Sequence, residues 1–180
     1  MRSIVTTLGF LAAAPVFAAC PSVPDISVAS TNLILELRGA EHERAAKALQ
    51  SELWRLWLSA PDGDAQALLD RGIRLLHRYH FEGADAALTA LVDYCPDYAE
   101  GYNQRAFSAY LQADYERALI DLDLALERNP THLGALSGKA MTLIGMGRME
   151  LAQRFLRDAL SLNPWLPERR YLIDQPGAPL

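Results

Sequence analysis

Residues 99–132 read AEGYNQRAFSAYLQADYERALIDLDLALERNPTH, and the 34 residues on either side repeat the same pattern. Small residues stand at the eighth and twentieth positions of every copy, and a proline stands at the thirty-second. These residues are Gly72, Ala84 and Pro96, then Ala106, Ala118 and Pro130, then Ala140, Ala152 and Pro164. A constant period of this length indicates stacked helical units, each too small to bury its apolar face alone.

The pattern within each unit predicts two helices joined by a tight turn. Apolar residues recur at helical spacing, and the proline ends the second helix because it has no backbone N–H to donate. Strand signals are absent from the sequence, so we predict an all-α fold. The predicted helices are 66–78 and 83–94 in the first unit, 100–112 and 115–128 in the second, and 134–146 and 149–162 in the third.

This spacing closely resembles the tetratricopeptide repeat family over residues 65–166, with three copies in one register. The aromatic residue at the seventeenth position is present as Phe81 and Tyr115, and the turn glycine of the family is present as Gly147. The resemblance implies a right-handed α-solenoid of three helix-turn-helix repeats, whose concave face is lined by the first helix of each pair. The implied repeats are 65–98, 99–132 and 133–166.

The resemblance also implies which residues point into the concave groove. That groove is apolar with a few polar groups, so we predict a peptide-binding groove for a protein or peptide partner. Family members that clamp a terminal carboxylate use lysine and asparagine where Leu69 and Ile73 stand here, so this mode is expected to be absent. The alternative is that the chain's own N-terminal helix or C-terminal tail fills the groove. The predicted groove residues are Leu69, Ile73, Leu76, Asn103, Phe107, Tyr110, Met141 and Ile144.

The N-terminal residues have the features of an export signal. A short positive start precedes an apolar stretch over residues 4–14, and Val16, Phe17 and Ala18 suit a signal peptidase. We therefore expect residues 1–18 to be a cleaved signal peptide and the mature protein to be periplasmic, in a bacterial cell envelope.

The segments outside the repeats are expected to flank the solenoid. Two prolines predict an extended lead over residues 19–31, and Ser30, Thr31 or Asn32 is expected to cap the helical segment 32–60. Gly39 is expected to bend or split that segment. Residues 167–180 are expected to form a short C-terminal cap and tail.

The two cysteines, Cys20 and Cys95, have three possible states. A disulfide would pin the N-terminal lead to the first repeat in an oxidising compartment. Alternatively, residues 17–20 resemble the lipobox of bacterial lipoproteins, with phenylalanine in place of the usual leucine, so that Cys20 would be acylated and the protein lipid-anchored. The third possibility is two free thiols.

Composition excludes several classes of function. The chain carries 17 basic and 22 acidic residues, for a net charge of −5, which argues against nucleic-acid binding. Residues 133–180 hold six basic and four acidic residues, whereas residues 19–132 hold ten and eighteen, so head-to-tail self-association is possible. No cofactor is expected.

Catalytic and metal-binding motifs are also missing from the sequence. His77 and His80 have the spacing of a metal pair, but no third ligand stands at a supporting distance. The groove positions hold one histidine, His77, and one acid, Glu100, in different units, so an enzyme is a remote alternative. We expect a non-catalytic interaction scaffold or adaptor of the cell envelope, with an outer-membrane assembly lipoprotein acylated at Cys20 as the alternative.

Overall fold

A computed structural model describes residues 19–173, and within that range it contains eight α-helices, one 3-10 helix and no strand. The all-α prediction is confirmed. The expected signal peptide, residues 1–18, and the tail residues 174–180 lie outside the described residues. The helices are α1 Ser27–Arg38, α2 Glu43–Trp57, α3 Gly63–Leu76, α4 Phe81–Tyr94, α5 Ala99–Leu111, α6 Tyr115–Arg128, α7 Leu133–Gly145 and α8 Met149–Leu162, followed by the 3-10 helix η1 Pro167–Tyr171.

Helices α3 to α8 pack as three successive hairpins with equivalent cores. Leucines 34 residues apart, Leu88, Leu122 and Leu156, are each at most 2% exposed at the centre of the second helix of a hairpin. The alanines predicted at the twentieth position, Ala84, Ala118 and Ala152, are fully buried. Burial of a leucine side chain is worth about 1.5–3 kcal/mol, so this repeated position supplies much of each hairpin's stability.

The turn inside each hairpin has the same backbone geometry in all three repeats. Its central residue is left-handed, with φ of 57° at Tyr79, 57° at Ala113 and 72° at Gly147. The N–H of the following residue donates a hydrogen bond to the carbonyl oxygen five residues earlier, which is the Schellman geometry of a helix C-terminus. These bonds join His80 to Leu75, Asp114 to Ala109 and Arg148 to Leu143, at 3.0, 2.9 and 2.8 Å.

The turn geometry predicts opposite effects of exchanging alanine and glycine. A Cβ in the left-handed region costs roughly 1–2 kcal/mol, whereas the added flexibility of glycine costs roughly 0.5–1 kcal/mol. Ala113→Gly should therefore raise the free energy of unfolding by about 0.5–1 kcal/mol, and Gly147→Ala should lower it by a similar amount, as measured by urea denaturation. Gly63→Ala is the control, because Gly63 is not left-handed and a Cβ there meets nothing within 4 Å. A loss of stability in Ala113→Gly would contradict the prediction.

The N-terminal helical segment is split where the sequence predicted, but it begins earlier. Gly39 follows α1 directly, and α2 starts four residues later with the His42 imidazole as its N-cap. The expectation that residues 30–32 cap the first helix is wrong, and the extended lead ends at Ile26. The Asp25 carboxylate accepts a hydrogen bond from the Ser27 N–H at 2.9 Å, which satisfies a free donor of the first turn.

Helices α1 and α2 pack against the third repeat, although they precede the first repeat in the sequence. Ile34 and Leu37 of α1 and Leu53 of α2 are buried in one apolar cluster with Leu133 and Leu136 of α7. Helix α2 ends at Trp57, so the short segment that follows it leads back to α3. The N-terminal hairpin therefore spans the solenoid from its last repeat to its first. None of the helices within residues 19–173 is long and apolar enough to cross a bilayer.

Candidate functional site

A cavity of about 620 Å³ lies on the concave side, where the first helices of the three repeats face α2 and η1. Its walls are mainly apolar and aromatic. Helix α2 and the segment after it contribute Trp54 and Leu58, and η1 contributes Glu168. The repeats contribute Ile73, His77, Asn103, Gln104, Ala106, Phe107, Tyr110, Leu122, Gly134, Ser137, Gly138, Met141 and Thr142.

Five of the eight predicted groove residues line this cavity. They are Ile73, Asn103, Phe107, Tyr110 and Met141. The large side chain of Phe107 is 46% exposed, so it presents apolar surface to the cavity. Tyr110 is partly buried, and this burial raises the pKa of its phenol above the ordinary value.

The other three predicted residues do not line the cavity. Leu69 and Leu76 are 0% and 3% exposed and belong to the core of the first repeat. That core also includes Val23 of the N-terminal lead and Leu58, which cover the part of α3 that the family pattern leaves open. Ile144 is half-buried and lies outside the cavity lining.

Two residues on neighbouring elements shape the cavity wall at α7. A Cβ at Gly134 would lie 2.6 Å from Cη2 of Trp54, so only glycine allows the indole to approach this helix. The Trp54 ring meets the Trp57 ring edge to face, with centroids 5.3 Å apart. Helix α2 therefore occupies part of the groove without filling it, and the remaining space is the 620 Å³ cavity.

Behind the cavity wall, a buried polar cluster joins the second and third repeats. The Glu100 carboxylate and the His132 ring are at most 1% exposed, and Nε2 of His132 lies 2.8 Å from Oε2 of Glu100. Asn103 and Gln104 also donate to this carboxylate, at 3.2 and 2.6 Å. All the hydrogen bonds that Glu100 receives are therefore donated by neutral groups or by an imidazole.

The backbone determines the tautomer of His132. Its Nδ1 accepts a hydrogen bond from the Ala135 N–H at 3.2 Å, which caps α7. Because Nδ1 is an acceptor, the ring proton lies on Nε2 and is donated to Glu100. The imidazole therefore donates from one nitrogen and accepts at the other, and within residues 19–173 Glu100 has no lysine or arginine partner.

The same histidine holds α2 in place. The His132 ring stacks on the Trp57 ring, with centroids 4.2 Å apart and planes 20° from parallel. The Trp57 carbonyl accepts a hydrogen bond of 2.5 Å from the Tyr98 hydroxyl. Burial raises the pKa of Tyr98 far above its ordinary value, so this hydroxyl stays protonated and remains a donor at every physiological pH.

Sequence reasoning missed His132, Trp54 and Glu168 as members of the site. Glu100 was noted as the acid of the groove, and in the structure it contacts His132. A signal was available, because Tyr98 and His132 are 34 residues apart and each immediately precedes the first helix of a repeat. That shared position puts both side chains at the boundary between repeats.

Comparison with known proteins agrees with this architecture. The model of the family described as "Tetratricopeptide repeat" matches residues 133–164, the third hairpin. A TPR repeat-containing protein of Rhizobium etli is 24% identical to the chain over 132 residues.

Residues 133–164 match a tetratricopeptide repeat, and the chain is similar over 132 residues to a protein that contains such repeats. The alignment with the Rhizobium etli relative covers 73% of this chain but 65% of that relative, so the chain spans less than two thirds of its length. The family match falls on the repeat whose turn residue is Gly147, the glycine that the sequence pattern shares with the family.

Solved structures of tetratricopeptide repeat domains have the same fold. The TPR2B domain of yeast Sti1 in its pHsp70 complex superposes with a TM-score of 0.56, at 22% identity, over 59% of this chain and 88% of that one. The first TPR of Spaghetti (RPAP3), bound to the HSP90 peptide SRMEEVD, gives a TM-score of 0.58, at 20% identity, over 60% of this chain and 90% of that one. At these identities the likeness shows the fold alone.

The cysteines of this repeat protein lie together at the start of the solenoid. The structure pairs Cys20 with Cys95, with Cα atoms 5.2 Å apart and a separation of 75 positions in the sequence. Cys95 is buried in the core of the first repeat, next to the end of α4. The N-terminal lead is thereby fixed against this repeat.

The described residues, 19–173, contain no group of three or more histidine, cysteine, aspartate or glutamate side chains that could hold a metal ion. The backbone turn separates His77, the C-cap of α3, from His80, the N-cap of α4. The His80 Nδ1 accepts a hydrogen bond from the Gly83 N–H at 3.2 Å, so this ring serves as a helix cap.

The buried cluster predicts a measurable cost for replacing its carboxylate. Glu100→Gln leaves one side-chain oxygen where the carboxylate has two. One of the N–H groups of His132, Asn103 and Gln104 then loses its acceptor. If His132 instead changes tautomer, it loses its cap on α7. We expect the free energy of unfolding to fall by about 1–3 kcal/mol in urea denaturation.

The control is Glu116→Gln, because Glu116 is an exposed acid on α6. A surface change of this kind should alter stability by about 0.5 kcal/mol or less. Equal unfolding midpoints for the two variants would show that the Glu100 charge is not needed by the cluster.

Proposed function

We propose that this protein is a non-catalytic adaptor that binds a peptide or helix of another protein in its concave groove. The observation that carries the proposal is the 620 Å³ cavity between the three repeats, lined by Trp54, Phe107 and Tyr110. Its volume is in the usual range for ligand pockets, and aromatic residues are the commonest anchors of protein interfaces. The two solved neighbours bound to pHsp70 and to an HSP90 peptide support a peptide as the ligand class.

The chemistry of the polar groups supports an adaptor and not an enzyme. Both ring nitrogens of His132 are engaged, one by Glu100 and one by the Ala135 N–H. Both side chains of the pair are buried, so a substrate has no direct access to them. A catalytic acid or base must reach the proton it transfers, directly or through one water.

We further propose that the protein works in the cell envelope, after export through the segment 1–18. The paired cysteines support an oxidising compartment, because disulfides are rare in the reducing cytosol. The disulfide and the lipid anchor are mutually exclusive, since both need the Cys20 sulfur. A lipid-anchored assembly protein is therefore the second candidate, in which Cys95 would be left unpaired.

Mass spectrometry of the native protein tests compartment and anchor together. Non-reduced protein purified from the periplasm should begin at Ala19 and weigh about 2 Da less than its reduced form, because disulfide formation removes two hydrogens. A diacylglycerol adduct on Cys20 would instead establish the lipoprotein. A full-length chain with two free thiols would contradict the envelope proposal.

The groove is tested by photo-crosslinking in intact cells of the native host. A benzoyl-phenylalanine residue at position 107 should capture a partner, whereas the same residue at position 120 should not, because Ile120 is an exposed residue on α6 outside the cavity lining. The double variant Phe107→Ser, Tyr110→Ser should weaken partner binding at least about tenfold, since two aromatic contacts are lost. Thermal unfolding of the double variant checks that it is folded.

Unchanged partner capture by the folded double variant would contradict the groove as the binding site. If its melting temperature also fell, the result would indicate that the groove is filled by the chain itself. In that case Phe107 and Tyr110 would serve as core residues.

A further inference from the structure

We propose that the groove selects an internal segment in which a lysine or arginine stands among apolar residues, and that it disfavours a free terminal carboxylate. This inference rests on the proposed peptide-binding function and assigns the chemistry of the ligand. It follows from the hydrogen-bonding groups and charges that the cavity wall presents.

Apart from the imidazole of His77, the one ionisable side chain of an acid or base on the cavity wall is acidic. Among the sixteen residues that line the cavity, none is lysine or arginine, and Glu168 of η1 is the one acid. The Oε2 atom of Glu168 is buried and has no hydrogen-bond partner within the described part of the chain. A buried carboxylate oxygen without a donor is costly, so turning the Glu168 side chain toward an incoming ammonium or guanidinium group would replace an unsatisfied acceptor by a satisfied one.

The neighbouring arginines do not neutralise this carboxylate in the cavity. Arg169 lies over the Trp165 ring at 5.8 Å, and Arg170 lies over the Tyr171 ring at 4.9 Å. Neither arginine lines the cavity. Glu168 is therefore the charge that a ligand in the cavity would meet.

Asn103 presents an acceptor to the cavity, because its donor group is already used. Its Nδ2 donates to both oxygens of Glu100, at 3.3 and 3.2 Å. The orientation of the amide is fixed by this contact, since a carboxylate can accept but not donate. Within residues 19–173 no donor reaches the Asn103 side-chain oxygen, and this residue lines the cavity, so that oxygen is available to a ligand's N–H.

Gln104 repeats the arrangement one residue later. Its Nε2 donates to Glu100 at 2.6 Å, and no donor of the described chain contacts its side-chain oxygen. Behind both amides lies the buried Glu100 side chain, which has no lysine or arginine partner within residues 19–173.

The aromatic side chains of the wall favour the same ligand. Trp54, Phe107 and Tyr110 line the cavity, and the faces of aromatic rings attract lysine and arginine through their quadrupole. Their apolar surface also accommodates the methylene stem of a lysine and its aliphatic neighbours. A free carboxylate, in contrast, would meet no lysine or arginine on the wall, and His77 is the one imidazole there.

The test is a selection from displayed random twelve-residue peptides with both ends blocked by flanking sequence, run on the purified wild-type protein. Selected peptides should be enriched in lysine or arginine beside aliphatic residues. Their affinity, measured by fluorescence anisotropy on amidated synthetic copies, should fall about tenfold for Glu168→Gln. The control variant Glu36→Gln, which changes an exposed acid on α1 outside the cavity lining, should bind as the wild type does.

A charge exchange makes the test specific. Glu168→Lys should weaken the lysine peptides further and strengthen copies in which glutamate replaces lysine. If Glu168→Lys does not fold, Glu168→Gln carries the test alone. A second library that ends in a free carboxylate is selected in parallel.

The outcomes separate this inference from the proposed function. Peptides enriched in acids, peptides that need a free carboxylate, or lysine peptides indifferent to Glu168→Gln would overturn the ligand chemistry. The groove would still stand if the same peptides were lost in Phe107→Ser, Tyr110→Ser. Peptides that survive the double variant, or a selection with no binders, would count against both proposals.

Discussion

The contact between Trp57 and His132 fixes the position of α2, and the geometry of the groove depends on it. The imidazole stacks on the indole while it caps α7 and donates to Glu100, so one side chain serves three elements. Tyr98 secures the same tryptophan through its carbonyl. Every one of these groups is buried, and a buried donor or acceptor without a partner costs more than a satisfied one contributes. The cluster therefore tolerates little change in the placement of α2.

The position of α2 turns a shallow solenoid face into a bounded cavity. Trp54 and Leu58 stand on one side of the space, and η1 adds Glu168. The walls are consequently built from six elements, α2, α3, α5, α6, α7 and η1. The inner face of the first repeat is closed in the same way, because Leu69 shares a core with Leu58 and Val23. The open part of the groove belongs mainly to the second and third repeats.

The repeat core was predictable from the sequence because its information is local and occurs three times. The 34-residue period placed Leu88, Leu122 and Leu156 in equivalent environments, and the helix boundaries moved by at most three residues. The packing of α1 and α2 was not predictable, because an apolar stripe identifies a buried face but not the surface it meets. For the same reason Leu69 and Leu76 were assigned to the groove, while Trp54 and Glu168 were missed. The hydrogen bond from the Ser27 N–H to the Asp25 carboxylate, at the start of α1, was not predicted either.

The N-terminal segment contacts both the first and the third repeat, and this affects how the protein unfolds. A solenoid normally unzips from its terminal units, since each unit touches only its neighbours. Here the lead is bonded to the first hairpin at Cys95, whereas α1 and α2 lie on the last one. The first and third hairpins are thus linked through one N-terminal strap, and neither end can fray without loosening the other. Such a chain unfolds as one cooperative unit, and the contacts of distant sequence segments that close it make its folding slower than that of an open array.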